Sequence, residues 1–151
     1  MAKPVTVKFG KFFVRLSDGG DPPQFVAPCG FTSKSFSRNK TLNDVPIPDC
    51  DDPDAPAWSV RDVQSMSATI SGSGVLAKSA VPTWEAALAS SDSIECEVEL
   101  EYPDGDSDIY TGNFHLESFE ITGSNGERVQ VSVTMQSDGE IEYDRTVAPG
   151  V

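Results

Sequence analysis

The side chains of this sequence that could do chemistry are mostly carboxylates, and one group is spaced for cation binding. Asp104, Asp106 and Asp108 alternate as they do at the start of an EF-hand calcium loop. That loop also needs Gly at position 6 and Glu at position 12, where this chain has Ile109 and His115. We therefore expect a solvated turn here and no bound ion.

A second acidic group lies in a proline-rich stretch. Asp49, Asp51, Asp52 and Asp54 could gather a hard cation, since such cations prefer oxygen ligands. The prolines between them spread the carboxylates along the chain. We expect no metal site there either.

The remaining residues give little support for a catalytic site. Glu97 and Glu99 could be the acid and base of a glycosidase, but no apolar pocket that would raise a pKa surrounds them in the sequence. The single histidine, His115, lies on the polar phase of its strand. No P-loop, nucleophile elbow or dinucleotide fingerprint is present. The sequence predicts a protein that is not an enzyme and holds no cofactor.

The three cysteines, Cys29, Cys50 and Cys96, form no C-x-x-C pair, which excludes a zinc site of the usual spacing. An odd count fits a reducing compartment better than a disulfide framework. Cys96 alternates with apolar neighbours and is predicted to be a core residue, while pairing of Cys29 with Cys50 stays open.

The charge of the chain is strongly negative and unevenly distributed. The 151 residues carry 11 Lys and Arg against 24 Asp and Glu, a net charge of −13. Residues 92–144 hold 15 of the acidic side chains and one basic one, Arg128. Such a chain is not expected to grip nucleic acid by counterion release or to adhere to an anionic membrane. No apolar run is long enough to span a bilayer, and no signal peptide is evident.

The elements that position these residues are predicted to be strands, because the dominant hydrophobic period is two. Residues 94–102 alternate apolar side chains with Glu95, Glu97, Glu99 and Glu101. Four like charges on one strand face repel one another and are expected to add nothing to stability. Similar alternation over 12–16, 65–73, 129–136 and 140–144 indicates further antiparallel strands. Turn residues separate the C-terminal strands. Residues 109–122 form a further predicted strand, in which the alternation of apolar side chains changes phase and so predicts a bulge near Glu117–Ser118.

One helix and one long loop complete the prediction. Residues 82–89 read as a two-turn helix, with Thr83 as the N-cap and with Trp84 and Leu88 packing on the sheet. Residues 39–61 contain four prolines and are predicted to be a loop. The whole chain, 1–151, is expected to form one β domain with extended termini.

The order of these motifs resembles that of the tail tube proteins of long-tailed bacteriophages (siphovirus-type) and of phage-like gene transfer agents. An Asp-Gly-Gly turn precedes Phe25-Val26-Ala27 and the stretch from Cys29 to Asn39, and a loop leads to Trp58. The Ser67–Val75 strand with its Ser-Gly-Ser-Gly motif, the helix and Gly112-Asn113-Phe114 follow. The resemblance implies an antiparallel β-sandwich or rolled barrel flanked by one helix.

It also implies a structural virion protein, made in the cytoplasm of a host bacterium. Copies of the chain would form hexameric rings, and the rings would stack into a tube with an acidic lumen through which DNA leaves without specific binding. A tape measure protein would lie inside, with tail terminator and baseplate proteins at the ends. The candidates for lumen-lining carboxylates are Glu95, Glu97, Glu99, Glu101, Glu117, Glu120, Glu140 and Glu142. The candidates for contacts between rings are Asp44, Ile47, Asp49, Asp51, Asp52 and Trp58.

Other functions stay open at this point. A monomeric β-sandwich that binds carbohydrate or calcium would share the strand pattern, and so would another phage structural protein such as a tail terminator or a head decoration protein.

Overall fold

The computed structural model of the chain describes residues 3–17 and 24–147. The turn predicted after the first strand, at 18–23, lies outside these residues, as do the ends of both termini. The strands are β1 (Phe12–Ser17), β2 (Phe25–Val26), β3 (Phe31–Ile47), β4 (Trp58–Val75), β5 (Ile94–Glu101), β6 (Ser107–Thr122), β7 (Gln130–Ser137) and β8 (Glu142–Thr146). One α-helix, α1 (Val81–Ala89), lies between β4 and β5, and short 3-10 turns occur at Phe9–Lys11 and Lys78–Ala80.

All eight strands are antiparallel neighbours in one sheet of order β2-β1-β5-β6-β7-β4-β3, with β8 also paired to β6. The first half of β6 lies between β5 and β8, whereas its second half pairs with β7. The 16-residue strand β6 therefore belongs to two strand groups, one containing β2, β1, β5 and β8 and the other containing β7, β4 and β3. The predicted mainly β fold with one short helix is confirmed.

The sheet rolls around a single buried cluster, because both groups contribute side chains to it. The predicted alternation is confirmed in β1, β5 and β7, where every second side chain is buried. The buried apolar residues of these three strands are Val14, Leu16, Cys96, Val98, Val131, Val133 and Met135. Ala68 and Ile70 of β4 and Phe114 of β6 complete the sheet side of the core.

The predicted bulge is confirmed between Leu116 and Ser118, where the register of β6 against β7 shifts by one residue. A bulge bends its strand and increases the local twist. It lies where β6 passes from one strand group to the other. The glycine turns are confirmed too, since Gly105, Gly126 and Gly139 have φ angles of 96°, 85° and 101°.

The helix differs from its prediction at its N-terminal end and in which side chains it buries. It begins at Val81, and the N-cap residue is Ala80, which makes no side-chain capping bond, so Thr83 is not the cap. Trp84 is buried as expected, but Leu88 is 46% exposed. The buried stripe consists of Ala80, Trp84 and Ala87, spaced four and three residues apart. Leu88 is displaced from Ala87 by about 100° around the helix axis and faces outward.

The predicted loop at 39–61 is wrong over most of its length. Residues 39–47 continue β3 and residues 58–61 begin β4, so only residues 48–57 form the connection. Pro46 is tolerated within β3 because that strand is at the sheet edge, where only one side needs ladder hydrogen bonds. The proline signal was therefore correct about the absence of a central strand but not about the absence of a strand.

The far part of this hairpin stands away from the rest of the molecule. β7 pairs with β4 only as far as Thr69, and beyond that point β3 and β4 pair only with each other. We call residues 41–65 the hairpin arm. Every residue of the arm is exposed except the half-buried Ala55. Cys50 lies at its tip and Cys29 beyond the opposite end of β3, roughly 50 Å away at 3.3 Å per residue. The two thiols are free and cannot pair within one chain.

Candidate functional site

The glutamate ladder of β5 lies on the outer side of the first strand group and is partly neutralised. Arg15 of β1 is directly opposite Glu97. Its Nη1 donates to Oε1 of Glu97 at 3.1 Å and also to Oε2 of Glu99. All three side chains are largely shielded from solvent. The repulsion expected within the ladder is relieved at two of its positions, because one guanidinium joins these two carboxylates to the neighbouring strand.

The rest of this surface is acidic. Lys11 Nζ lies 3.9 Å from Glu101, and Glu95 is exposed. Glu142 of β8 and Glu97 are both paired with Thr111, which places them on the same side of the sheet. We call the outer side of β1, β5, β8 and the first half of β6 the acidic face.

The outer side of the second strand group carries a different chemistry. Cross-strand partners share a face, so the register of β3, β4, β7 and the second half of β6 defines one surface. We call it the polar face, and its residues are Ser33, Ser35, Ser37, Asn39, Ser67, Thr69, Ser71, Ser73, Val75, His115, Glu117, Ser118, Glu120, Thr122, Gln130, Ser132, Thr134 and Gln136. Hydroxyl and amide groups dominate it, and it holds no lysine or arginine.

Hydrogen bonds across strands order part of the polar face. Thr69 Oγ1 donates to Oε1 of Gln136 at 2.9 Å, and Nε2 of Gln136 donates to Oε2 of Glu117 at 2.8 Å. Glu117 is the extra residue of the β6 bulge, and Glu120 accepts a bond from Thr122 at 3.3 Å. Glu117 and Glu120 are thus the two lumen candidates that lie on this surface. The other six lie on the acidic face or in and beside β8.

Both edges of the second strand group are open among the described residues. β3 pairs with β4 on one side only. On the other edge, pairing with β5 extends along β6 only to Phe114, which is opposite Ile94, the first residue of β5. Residues 115–122 of β6 therefore pair with β7 alone. The first strand group ends instead in the two-residue β2 and the five-residue β8. Short edge strands discourage further pairing, whereas the long open edges of the second group offer unpaired backbone groups to another chain.

The hairpin arm holds all six candidates for contacts between rings. Asp44, Ile47 and Trp58 lie on its strands, and Asp49, Asp51 and Asp52 lie in the connection. Asp49 Oδ1 accepts the backbone N–H of Asp51 at 2.9 Å, which shapes the turn.

The two sides of the arm differ. Val45 faces Val60 and Ile47 faces Trp58, so one side carries four apolar side chains near the tip. Trp58 is 88% exposed. On the other side, Nε of Arg61 donates to Oδ1 of Asp44 at 2.8 Å.

An open groove of about 1080 Å³ lies where β3 and β4 diverge from β1 and β5. Its floor is apolar and aromatic, with Phe12, Phe36, Leu100, Tyr110 and Ile141 among the lining residues. Arg38, Lys40 and Glu140 are the charged residues around it. No sequence pattern predicted the groove, since its lining comes from six separate segments.

Asp108 departs most from its predicted role. It is 4% exposed, and it accepts hydrogen bonds from the hydroxyls of Tyr102 (2.6 Å) and Tyr143 (2.8 Å) and from Arg145. The Arg145 guanidinium, followed by the Tyr102 hydroxyl, holds the pKa of Asp108 well below its usual value. The same hydrogen bonds raise the pKa values of both tyrosines. Asp108 is a structural anchor and not part of a solvated turn.

No group of three potential ligands suited to a metal ion occurs within residues 3–17 and 24–147. His115 is exposed, with Nε2 3.2 Å from Oδ2 of Asp138. Burial raises the pKa of the Cys96 thiol to about 12, as expected for a core residue. Over the same residues, no helix is long and apolar enough to cross a membrane.

Comparison with known families identifies the family to which this chain belongs. The family model described as phage tail tube protein matches residues 6–143. The chain belongs to the phage tail tube protein family. The resemblance seen in the order of sequence motifs is confirmed, and the protein is a structural component of the phage tail tube in the virion.

Solved structures share the fold of this tail tube protein at low sequence identity. The tail of an empty gene transfer agent particle, refined with C6 symmetry, is 20% identical with a TM-score of 0.73, covering 92% of this chain and 99% of that one. A chain of the native gene transfer agent virion is 21% identical with a TM-score of 0.70 over 92% and 99%. The SPP1 tail tube is 12% identical with a TM-score of 0.65 over 95% and 81%. No curated protein sequence is significantly similar to the chain.

Proposed function

We propose that copies of this chain form rings by pairing the open edge of β3 in one subunit with residues 115–122 of β6 in the next. Such a contact joins two different surfaces, and head-to-tail contacts of this kind close into rings when the rotation allows. Six copies, as in the C6 tail of the similar gene transfer agent, would give a barrel of about 24 strands. Barrels of 16–18 strands already enclose an aqueous channel.

The observation that carries the proposal is that the polar face belongs to the strand group whose edges are open. When that group closes into a barrel, one of its sides must face the lumen, and its other side is the buried core. The polar face therefore lines the channel, with Glu117 and Glu120 as its carboxylates. We assign Glu95, Glu97, Glu99, Glu101, Glu140 and Glu142 to surfaces outside the lumen, which narrows the set predicted from the sequence.

A channel of this composition suits the passage of DNA. Proteins bind the phosphate backbone mainly through lysine and arginine, which release condensed counterions. The polar face offers neither residue, and its two carboxylates repel phosphate. Stacked rings would then conduct DNA without retaining it. A tape measure protein inside the channel and terminator and baseplate proteins at its ends belong to the same proposal.

Labelling of assembled tubes tests which face lines the lumen. In a background with Cys29→Ser and Cys50→Ser, single cysteines are placed by Ser132→Cys on the polar face and by Glu95→Cys on the acidic face. Both positions are exposed in the isolated chain. A maleimide on a large polyethylene glycol should modify both unassembled variants equally. In long tubes it should modify Glu95→Cys at a similar rate and Ser132→Cys much more slowly. Equal protection of both, or protection of Glu95→Cys alone, would contradict the assignment.

A further inference from the structure

We infer that Lys34 acts as a clasp that holds the N-terminal segment, residues 3–11, against the edge strand β3 of the same chain. The segment precedes β1 and contains the 3-10 turn Phe9–Lys11. Lys34 lies near the start of β3, in the other strand group. The inference concerns one chain on its own and does not depend on the formation of rings.

The N-terminal segment has few attachments of its own. Its residues pair with no strand in the described part of the chain, and all but one of them are exposed. The Lys11 N–H donates to the Lys8 carbonyl at 2.9 Å, which is a hydrogen bond within the segment itself. Lys11 Nζ also lies 3.9 Å from Glu101, but both side chains are exposed, and exposed ion pairs contribute little to stability.

Lys34 contacts both this segment and the residue that follows it. Its Nζ donates to the backbone carbonyl of Phe12 at 2.9 Å. The same Nζ lies 5.0 Å from the centroid of the Phe9 ring. A hydrogen bond from an ammonium group is stronger than one between neutral groups, and a cation over an aromatic face is attracted by the ring. One ammonium group therefore joins the segment and the start of β1 to β3.

Strand pairing does not make this connection. β2 pairs only with Leu16 and Ser17, so among the described residues the stretch from Phe12 to Arg15 pairs with β5 alone. β3 belongs to the other strand group and is not paired with β1. Lys34 forms no ion pair with a carboxylate within residues 3–17 and 24–147, so its ammonium group is left for the carbonyl and the ring.

The position of Lys34 also has a cost, which keeps the clasp weak. Burial, followed by the nearby charge of Arg15, lowers the pKa of Lys34, because these surroundings disfavour the ammonium form. The attraction to Phe12 and Phe9 exceeds this cost when the segment is docked. A contact with a small net stability can open locally while the sheet stays folded. Loss of the ammonium group should therefore free the segment without unfolding the domain.

Limited proteolysis of the unassembled full chain tests the clasp. Trypsin cleaves after Lys8 when the segment leaves the surface of the domain. Lys34→Met keeps the aliphatic stem and removes the ammonium group, so this cleavage should become faster by roughly fivefold or more. Cleavage after Arg15, inside the β1–β5 ladder, should keep its wild-type rate. Lys40→Met, the same change at an exposed position of the same strand, is the matched control and should change neither rate.

Two further variants separate the clasp from a general effect on stability. Lys34→Arg keeps a cation with hydrogen-bond donors and should restore slow cleavage after Lys8. Phe9→Leu removes the aromatic face and should speed this cleavage by itself, but by less in the Lys34→Met background, because both changes act on one contact. A wild-type rate of cleavage after Lys8 in Lys34→Met, or an equal rise in Lys40→Met, would overturn the clasp. Faster cleavage after Arg15 as well would indicate general unfolding and would overturn it too.

Discussion

Arg145 and Asp108 form a two-point ion pair that joins the last strand of the chain to the start of β6. Nε and Nη2 of Arg145 donate to the two carboxylate oxygens of Asp108 at 2.7 and 3.0 Å, and the two residues are direct cross-strand partners. The hydroxyls of Tyr102 and Tyr143 bind the same carboxylate. One buried carboxylate therefore fixes β8 and the turn between β5 and β6 together.

This ion pair predicts a specific loss of stability in acid. Asp108 titrates below 3.8, its ordinary pKa, in the folded chain. Its contribution to the free energy of unfolding is thus complete above about pH 4 and declines as the pH falls through the lower, folded pKa. Asp108→Asn should be less stable than the wild type by about 1–3 kcal/mol at pH 7. Urea unfolding from pH 7 to pH 2 should show this difference shrinking below pH 4, and a constant difference over the whole range would contradict the assignment.

The bridge from Arg15 to Glu97 and Glu99 predicts a salt-dependent defect. Arg15→Ala leaves two shielded carboxylates next to each other without their shared cation, which should lower the free energy of unfolding by on the order of 1–2 kcal/mol. Added salt screens the remaining repulsion. Denaturant midpoints at low and high salt should show the deficit decreasing, while Glu95→Ala, at an exposed position, should change little. A deficit that is independent of salt would point to packing of Arg15 on Phe13 instead, whose ring centroid is 4.5 Å from the guanidinium carbon.

The helix offers a matched pair of truncations. Trp84 is buried against Phe31 and Phe119, with ring centroids 5.8 and 6.4 Å away. Trp84→Ala should lower the free energy of unfolding by about 3–5 kcal/mol, as expected for a buried aromatic residue. Leu88→Ala should change it by no more than about 0.5 kcal/mol, since that side chain is mostly solvated. Thermal unfolding of the two purified variants is the measurement, and a large effect of Leu88→Ala would show that the helix packs differently.

Trp58 predicts a defect in assembly without a defect in folding. Its side chain contributes little to the isolated chain, so Trp58→Ala should leave the unfolding midpoint unchanged. If the arm makes contacts between rings, as the resemblance to tail tube proteins implies, the variant should need a markedly higher protein concentration to form tubes, which light scattering can follow. Val5→Ala, at another exposed apolar position outside the arm, is the control. Assembly of Trp58→Ala at the wild-type concentration would argue against a role of Trp58 in contacts between rings.

Much of the fold could be predicted because its signals are local. Alternation with a period of two identified β1, β5 and β7 and their buried sides, and the change of phase in β6 located the bulge. These patterns follow from the geometry of a strand with one buried side and require no knowledge of distant residues. The order of the elements was also sufficient to indicate the tail tube family.

Local signals were insufficient where burial or charge depends on partners far along the chain. Four prolines suggested a loop at 39–61, but an edge strand accommodates Pro46. Asp108 belonged to an apparently solvated acidic turn, yet Arg145, 37 residues later, makes it a buried anchor. The glutamate ladder was seen as unrelieved repulsion, because nothing near it in sequence reveals Arg15, 82 residues away.

The sequence by itself determined a negatively charged β protein of the tail tube type, because composition and alternation are properties of the chain that persist in any fold. Only the tertiary structure decided which charges face which partners. Because the sheet rolls, the glutamates of β5 lie on the acidic face, and the hydroxyl-rich polar face lies on the outer side of the second strand group. The second strand group is also the one whose edges stay open. Which surface can line a channel depends on which strands remain unpaired, and strand pairing is set by contacts between distant parts of the chain.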